Sequence, residues 1–248
     1  MSGHNKWSKI KRKKGATDAK RSKIWARITR DLMIAARDGG GDVGMNPKLS
    51  LAVDKAKAEN MPKDNIERAI KRGTGEVEGV FYEEVTFEGY GPGGVAVFVE
   101  VLTDNNNRSV ADIRHVFSKY GGNLGTSGSV AYQFERKGII DIPAEGLDEM
   151  ELFDVVAEAG AEDLESEGDS FMVTVPAESF GDVQAALQSS NISVREANLE
   201  HIATTTVSLP AEEAKKVVKL IDALEELDDV QAVFTTLDFN EETLAAVS

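Results

Sequence analysis

The chain has 248 residues, with 28 Lys plus Arg against 43 Asp plus Glu, a formal charge of −15. Taken whole, that balance argues against a nucleic-acid partner, because a phosphate backbone would repel it. The absence of Cys excludes disulfides, thiol nucleophiles and zinc-thiolate sites, and no apolar run approaches the roughly 18 residues of a membrane span.

The length suits two domains or three small ones at roughly 100–200 residues each. Charge divides the chain more sharply than length does. Residues 1–72 carry 19 basic and 8 acidic groups, or +11; residues 73–137 are −4, and residues 138–248, with 4 basic and 26 acidic groups, are −22. The N-terminus is basic but no apolar h-region follows it, so it is not a secretory signal. A cytoplasmic protein is the expectation.

The opening MSGHNKWSKIKRKKG has little apolar periodicity and reads as an extended basic arm. Helical spacing follows over residues 17–37 and stops at Gly39-Gly40-Gly41. At about 100° per residue, Ile24, Trp25, Ile28, Leu32, Ala35 and Ala36 share one face, while Lys20, Lys23, Arg27, Arg30 and Arg37 gather opposite. The split is imperfect, since Arg21 falls in the apolar arc and Ile34 in the basic one. A second helix is predicted over 47–59, with Leu49, Val53 and Ala56 inward. A third follows Pro62, with Ile66, Ala69 and Ile70 inward and Lys71 and Arg72 in its last turn before Gly73. Residues 1–75 thus form an arm and a three-helix domain, and 74–80 a linker.

From Phe81 the period changes to two, with Phe81, Val85 and Phe87 on one face of a strand and Val95, Val97, Val99 and Val101 alternating in the next. A helix over 108–120 and a third strand over 129–135 (SVAYQFE) follow. Residues 138–202 have β-α-β-β-α-β order, the ferredoxin-like pattern, with strands near 138–142, 162–166, 170–175 and 192–199. The tail adds a strand (204–209), a helix (211–227) and a strand (230–237). Three elements are too few to bury a sheet face alone. The expected architecture is therefore α+β: the helical domain, a discontinuous α+β domain of 81–137 and 203–248, and an inserted ferredoxin-like domain of 138–202.

The arm is the sharpest functional feature. Lys6, Lys9, Lys11, Arg12, Lys13 and Lys14 place six positive charges in nine residues with no acid among them. Binding phosphates releases counter-ions and supplies sequence-independent affinity. The basic face of the first helix, Lys20, Lys23, Arg27 and Arg30, would continue that surface, with Lys63, Arg68, Lys71 and Arg72 as secondary contacts. Trp7 could stack on a base or anchor the arm. The −22 segment is most simply a solvated face that keeps nucleic acid away, and it could also meet a basic protein.

The other motifs are weaker. Gly89-Tyr90-Gly91-Pro92-Gly93-Gly94 matches G-x-G-x-x-G, but it joins two strands and so is a hairpin connection, not a dinucleotide site. The glycine-rich 121–128 loop is a permissive helix-to-strand connection or a phosphate-approaching one. Asn105-Asn106-Asn107-Arg108 are turn and cap residues or a polar contact surface. His4, His115 and His201 lack metal-ligand spacing, and no P-loop or G-x-S-x-G occurs. No catalytic residue, metal or cofactor is expected.

Three strings, GHNKWSKIKRKKGATDAKRSKIWARITRDLMIAAR (3–37), NMPKDNIERAIKRGTG (60–75) and FEGYGPGGVAVFVEVLTDNNNRSVADIRHVFSKYGGNLGTSGSVAYQF (87–134), closely resemble the YebC/PmpR family. The likeness continues more loosely to the C-terminus. It implies three domains, the middle one discontinuous, and a cytoplasmic DNA-binding transcriptional regulator with no catalytic residues. It equally implies an alternative, a translation factor contacting ribosomal RNA and ribosomal proteins, as in the mitochondrial branch and some bacterial members. The family's basic segment maps onto Lys6 to Arg37.

Overall fold

The computed structural model describes residues 18–77 and 82–247. The chain is α+β: N-terminal helices, then two α+β domains built on antiparallel four-stranded sheets, the first of them discontinuous. Residues 135–202 make one compact unit, and the described residues up to 134 together with 203–247 make another.

Helices α1 (Asp18–Gly39), α2 (Pro47–Ala58) and α3 (Lys63–Gly73) form a bundle over Ile28, Leu32, Ala36, Leu49, Val53, Ala56, Ile66 and Ala69. Buried Asn46 ties two helix ends together. Its Oδ1 accepts from the Leu49 amide at 3.0 Å as the N-cap of α2, and its Nδ2 donates to the carbonyls of Ala35 (2.7 Å) and Gly40 (2.8 Å) at the end of α1. One side chain thereby caps the start of α2 and serves the Gly40 carbonyl just past α1, groups that helix ends leave unpaired by construction. Gly73 lets α3 approach α1, because a Cβ there would run into the Met33 carbonyl oxygen.

Strands β1 (Glu83–Tyr90), β2 (Ala96–Thr103), β3 (Asn123–Leu124) and β8 (Val230–Thr235) form the first sheet in the order β3-β1-β2-β8, so the tail supplies the strand beside β2. Val95, Val97, Val99 and Val101 pack against Ile113 and Phe117 of α4 (Asn106–Lys119) and Val217, Leu220, Ile221 and Leu224 of α7 (Ala211–Glu225). The opposite face of β2 is buried too, with Ala96 and Phe98 against Val130, Phe134 and Phe234. Phe81, expected to open β1, lies outside the described residues.

Two strand expectations fail. SVAYQFE is not a strand of this sheet: its centre is a 3-10 turn (Ala131–Gln133), and β4 (Phe134–Pro143) begins at its end. The amides of Val130 and Ala131 serve the Glu88 carboxylate instead of a ladder. Residues 204–209 make a single parallel bridge, Val207 with Leu237, rather than a strand. After it the chain adds α8 (Glu241–Val247), which carries no strong sequence signal; its start is capped by Asn240, whose Oδ1 accepts from the Thr243 amide at 2.9 Å.

The second unit contains β4, α5 (Glu149–Glu158), β5 (Asp163–Glu167), β6 (Ser170–Pro176), α6 (Phe180–Ser189) and β7 (Glu196–Ala203). Its sheet order, β5-β6-β4-β7, is the ferredoxin-like arrangement. Ile140, Ile142, Val173 and Val175 from the sheet and Leu152, Val156, Val183 and Leu187 from the helices are all buried. Gly138 leaves room for the Phe180 ring.

Candidate nucleic-acid interface

The arm cations Lys6, Lys9, Lys11, Arg12, Lys13 and Lys14 lie outside the described residues, as does the Lys20 side chain, although Lys20 itself falls within α1. Lys23, Arg27 and Arg30 are not free. Lys23, Arg27 and Arg30 sit at i, i+4 and i+7, one stripe of the helix, and all three reach the C-terminal end of α7. Lys23 Nζ donates to the Glu226 carbonyl and pairs with Glu226 Oε2 at 2.9 Å. Arg27 donates to the Glu225 carbonyl, and Arg30 to that of Asp228. Helix ends leave carbonyls unpaired and carry partial negative charge, which cations stabilise. Helix α7 has no basic residue in its own last turn; α1 supplies three from elsewhere.

Arg27 is the most enclosed of the three. Burial lowers its pKa, with Glu225 opposing that shift, yet the guanidinium stays protonated. Its Nε is buried with no hydrogen-bond partner among the described residues. Arg30 also lies over the Tyr82 ring, 5.6 Å from its centroid, and Arg37 is held by Asp38 (2.9 Å) and the Tyr82 carbonyl (2.6 Å). The covered character of this stripe has one sequence signal. Ile34 falls within the same arc and is 2% exposed. A solvent-facing basic stripe has no reason to carry a buried isoleucine. Sequence reasoning missed the acceptors Glu225, Glu226 and Asp228.

Helix α3 presents the opposite case. Arg68, Lys71 and Arg72 are exposed within about 100° of arc, and no carboxylate of the described residues forms an ion pair with them. Lys63 stands apart, off that arc and 3.5 Å from Glu67. Arg68, Lys71 and Arg72 thus present an exposed cationic cluster on one face of α3, and two of them also complement the negative end of their own helix.

The glycine-rich loop is occupied from within. Glu88, 4% exposed, accepts from the amides of Gly128 (2.7 Å), Val130 (2.7 Å) and Ala131 (2.8 Å). Burial opposes ionisation of Glu88, but the three amides outweigh it and hold its pKa below the ordinary value. Within the loop the Gly128 amide holds this carboxylate, the Gly125 amide the Glu88 carbonyl at 2.8 Å, and Asn123 and Leu124 pair with β1 as β3, so the loop is a connection laid against β1. The 89–94 segment is likewise a turn between β1 and β2, closed by the Gly91 amide on the Val95 carbonyl at 2.8 Å. Asn105 caps α4 through the Arg108 amide (3.2 Å). Arg108 binds Asp104 and Asp229, each at 2.8 Å.

A cleft of about 490 Å³ is bordered by Arg30, Tyr82, Asp104, Arg108, Asp112 and Asp229. Ser109 and Thr103 hydroxyls both donate to Asp229, at 2.8 and 3.1 Å. No histidine is among the described residues that border the cleft. No group of His, Asp and Glu suited to a metal occurs among the described residues.

Two family models match nearly the whole chain: the TACO1/YebC protein N-terminal domain over residues 5–76, and the TACO1/YebC second and third domain over residues 82–237. The chain belongs to the TACO1/YebC family. It is 55% identical to a probable transcriptional regulatory protein of Rubrobacter xylanophilus across 100% of both chains. It is also 55% identical to one of Nitrosococcus oceani, across 99% of each. The crystal structure of a conserved hypothetical protein from Aquifex aeolicus shares the TACO1/YebC fold at a TM-score of 0.83 and 45% identity, covering 92% of this chain and 94% of that one.

Proposed function

We propose that this TACO1/YebC protein is a non-enzymatic, cytoplasmic, DNA-binding regulator of transcription that grips the nucleic-acid backbone with its cationic N-terminal third. The observation that carries this reading is the set Arg68, Lys71 and Arg72 on α3, exposed and without an ion-pair partner among the described residues, together with six positive charges in nine residues of the arm sequence. The names of the Rubrobacter and Nitrosococcus relatives support the regulatory role. Lys6, Lys9, Lys11, Arg12, Lys13, Lys14 and Lys20 contact phosphates, and α3 adds a second set of contacts. These are positioning contacts, which carry no base information themselves. Sequence preference then comes from DNA shape or from few side chains.

Phosphates of ribosomal RNA would satisfy the same lysines, so the test must identify the polymer as well as the residues. Changing Lys9, Lys11, Arg12, Lys13 and Lys14 to Ala is expected to weaken duplex binding and flatten its salt dependence. The same measurement on Arg68→Ala, Lys71→Ala, Arg72→Ala reads the α3 contribution. Unchanged affinity and slope in both variants would overturn the proposal. Crosslinking in cells followed by sequencing of the attached nucleic acid decides the target. Recovery of promoter DNA sustains the transcription reading, and predominantly ribosomal RNA replaces it with action at the ribosome.

A further inference from the structure

The three α1 cations that reach α7 are in the wrong place for a surface that binds nucleic acid. Their partners are three backbone carbonyls at the end of one helix, with the exposed carboxylates of Glu226 and Asp228 beside them. A helix C-terminus followed by acidic side chains offers what a phosphate backbone offers: closely spaced oxygen acceptors in a negative field. We propose that the turn at 225–229 is an internal stand-in for a polyanion on the Lys23–Arg27–Arg30 stripe, so that nucleic acid gains these contacts only by displacing it.

This inference rests on the reading that the N-terminal third binds nucleic acid, and it adds regulation of that site. Two features mark the contact as exchangeable rather than purely structural. First, it is incompletely satisfied. Arg27 is enclosed yet its Nε has no hydrogen-bond partner among the described residues, and its guanidinium offers a planar fork to a single carbonyl oxygen. A phosphate accepts such a fork through two oxygens at once. Leaving a buried donor unmade is costly, so a ligand that pairs it gains what the closed form lacks. Second, its outer edge is open to solvent: the side chains of Glu226 and Asp228 are 75% and 82% exposed, so an incoming polyanion can approach Lys23 from the side.

The closed form also orders the events. The α3 face is exposed and, with the charge of the arm, would capture the polymer first. The stripe is then offered phosphates at high effective concentration, because the polymer is already tethered to the same unit. Exchange would release the end of α7, which leads directly into β8 of the first sheet. Binding at the N-terminal helices is thereby linked to the α+β domain that the tail completes.

The experiment uses the full chain and a 20-base-pair DNA duplex of about two helical turns, with an RNA hairpin of matched charge as a second probe. Glu226→Gln with Asp228→Asn removes the exposed carboxylates without touching a cation or a core residue. This variant is expected to bind about threefold to tenfold more tightly at low salt, with a steeper salt slope as further phosphates are engaged. Adding Lys23→Gln and Arg30→Gln to it should abolish the gain. A control with the same change in net charge, Asp154→Asn with Glu158→Gln on α5, should leave affinity unchanged. In the wild-type chain, saturating duplex should speed amide hydrogen exchange at 226–230. Unchanged affinity in the neutralised variant, an equal gain in the control, or exchange at 226–230 that slows or stays constant would each overturn the stand-in. Failure of the arm substitutions to weaken binding would instead overturn the parent reading. The two results are separately readable.

Discussion

The Glu88 carboxylate accepts a 2.7 Å hydrogen bond from the Val130 amide across 42 residues of chain, and this pairing decides what the glycine-rich loop is. With Gly128 and Ala131 donating as well, a carboxylate of β1 organises the whole return from α4 to β4. Glu88→Gln keeps one oxygen but turns an amide N–H toward N–H donors. A loss of about 2 kcal/mol is expected at neutral pH, read as a shift in urea midpoint.

The same residue makes a pH prediction. Its folded pKa lies below the ordinary carboxylate value, so the ionised form contributes stability that is complete above that ordinary value. The contribution disappears as pH falls through the lower, folded pKa. Urea titrations of wild type and Glu88→Gln should therefore converge at strongly acidic pH. A constant gap between the two proteins would show that ionisation of Glu88 is not what the loop depends on.

Asn46 works in both directions, accepting for α2 and donating to the end of α1. Asn46→Ala should cost about 1–2 kcal/mol, from a lost cap and the lost bonds to the Ala35 and Gly40 carbonyls. Aspartate is an equally good N-cap in general, but here its carboxylate would face the Ala35 and Gly40 carbonyls. Asn46→Asp should be at least as destabilising as Asn46→Ala, and thermal denaturation of the two variants tests the order.

Asp229 gathers Arg108, Ser109 and Thr103. Burial raises its pKa, and the bonds from Arg108, Ser109 and Thr103 more than offset this, leaving it lowered. The pair is asymmetric, because the Asp229 side chain is 12% exposed and that of Arg108 47%. Removing Arg108 deletes a half-exposed partner and should change stability far less than removing Asp229. Asp229→Ala removes the acceptor that Arg108, Ser109 and Thr103 share and should cost about 1–3 kcal/mol. Equal losses from the two substitutions would contradict this account.

Gly73→Ala reverses a familiar sign. Replacing a helical glycine with alanine normally gains about 1 kcal/mol. A Cβ at this position meets the Met33 carbonyl oxygen and the Ala36 side chain, so α3 would have to move away from α1. A net destabilisation of about 1–2 kcal/mol is expected from overpacking, measurable by thermal melting.

Periodicity was a sound guide wherever local pattern and burial agree. The valines at 95, 97, 99 and 101 face one core because strand side chains alternate, and the ferredoxin-like order of the inserted sheet follows from its alternating strands and helices. SVAYQFE misled because its alternation is real but its amides are claimed by Glu88, a residue of another strand. No local window contains that competitor. Helix α8 was illegible for a related reason. It is short, and the residues beside it, such as Phe239, are buried against the distant α7 core.

By itself the sequence determined the α+β class, the discontinuous sheet and the division of charge between a cationic beginning and an anionic remainder. These depend on spacing and composition, which a linear chain carries in full. Which cations remain available was decided only in three dimensions. Lys23, Arg27 and Arg30 lie on an arc that a helical projection leaves open, and it is the end of α7, about 200 residues away, that covers it. Arg68, Lys71 and Arg72 look no more distinctive in sequence, yet they stay exposed, with no ion-pair partner among the described residues. Charge is a property of residues, but its availability depends on what the fold places opposite.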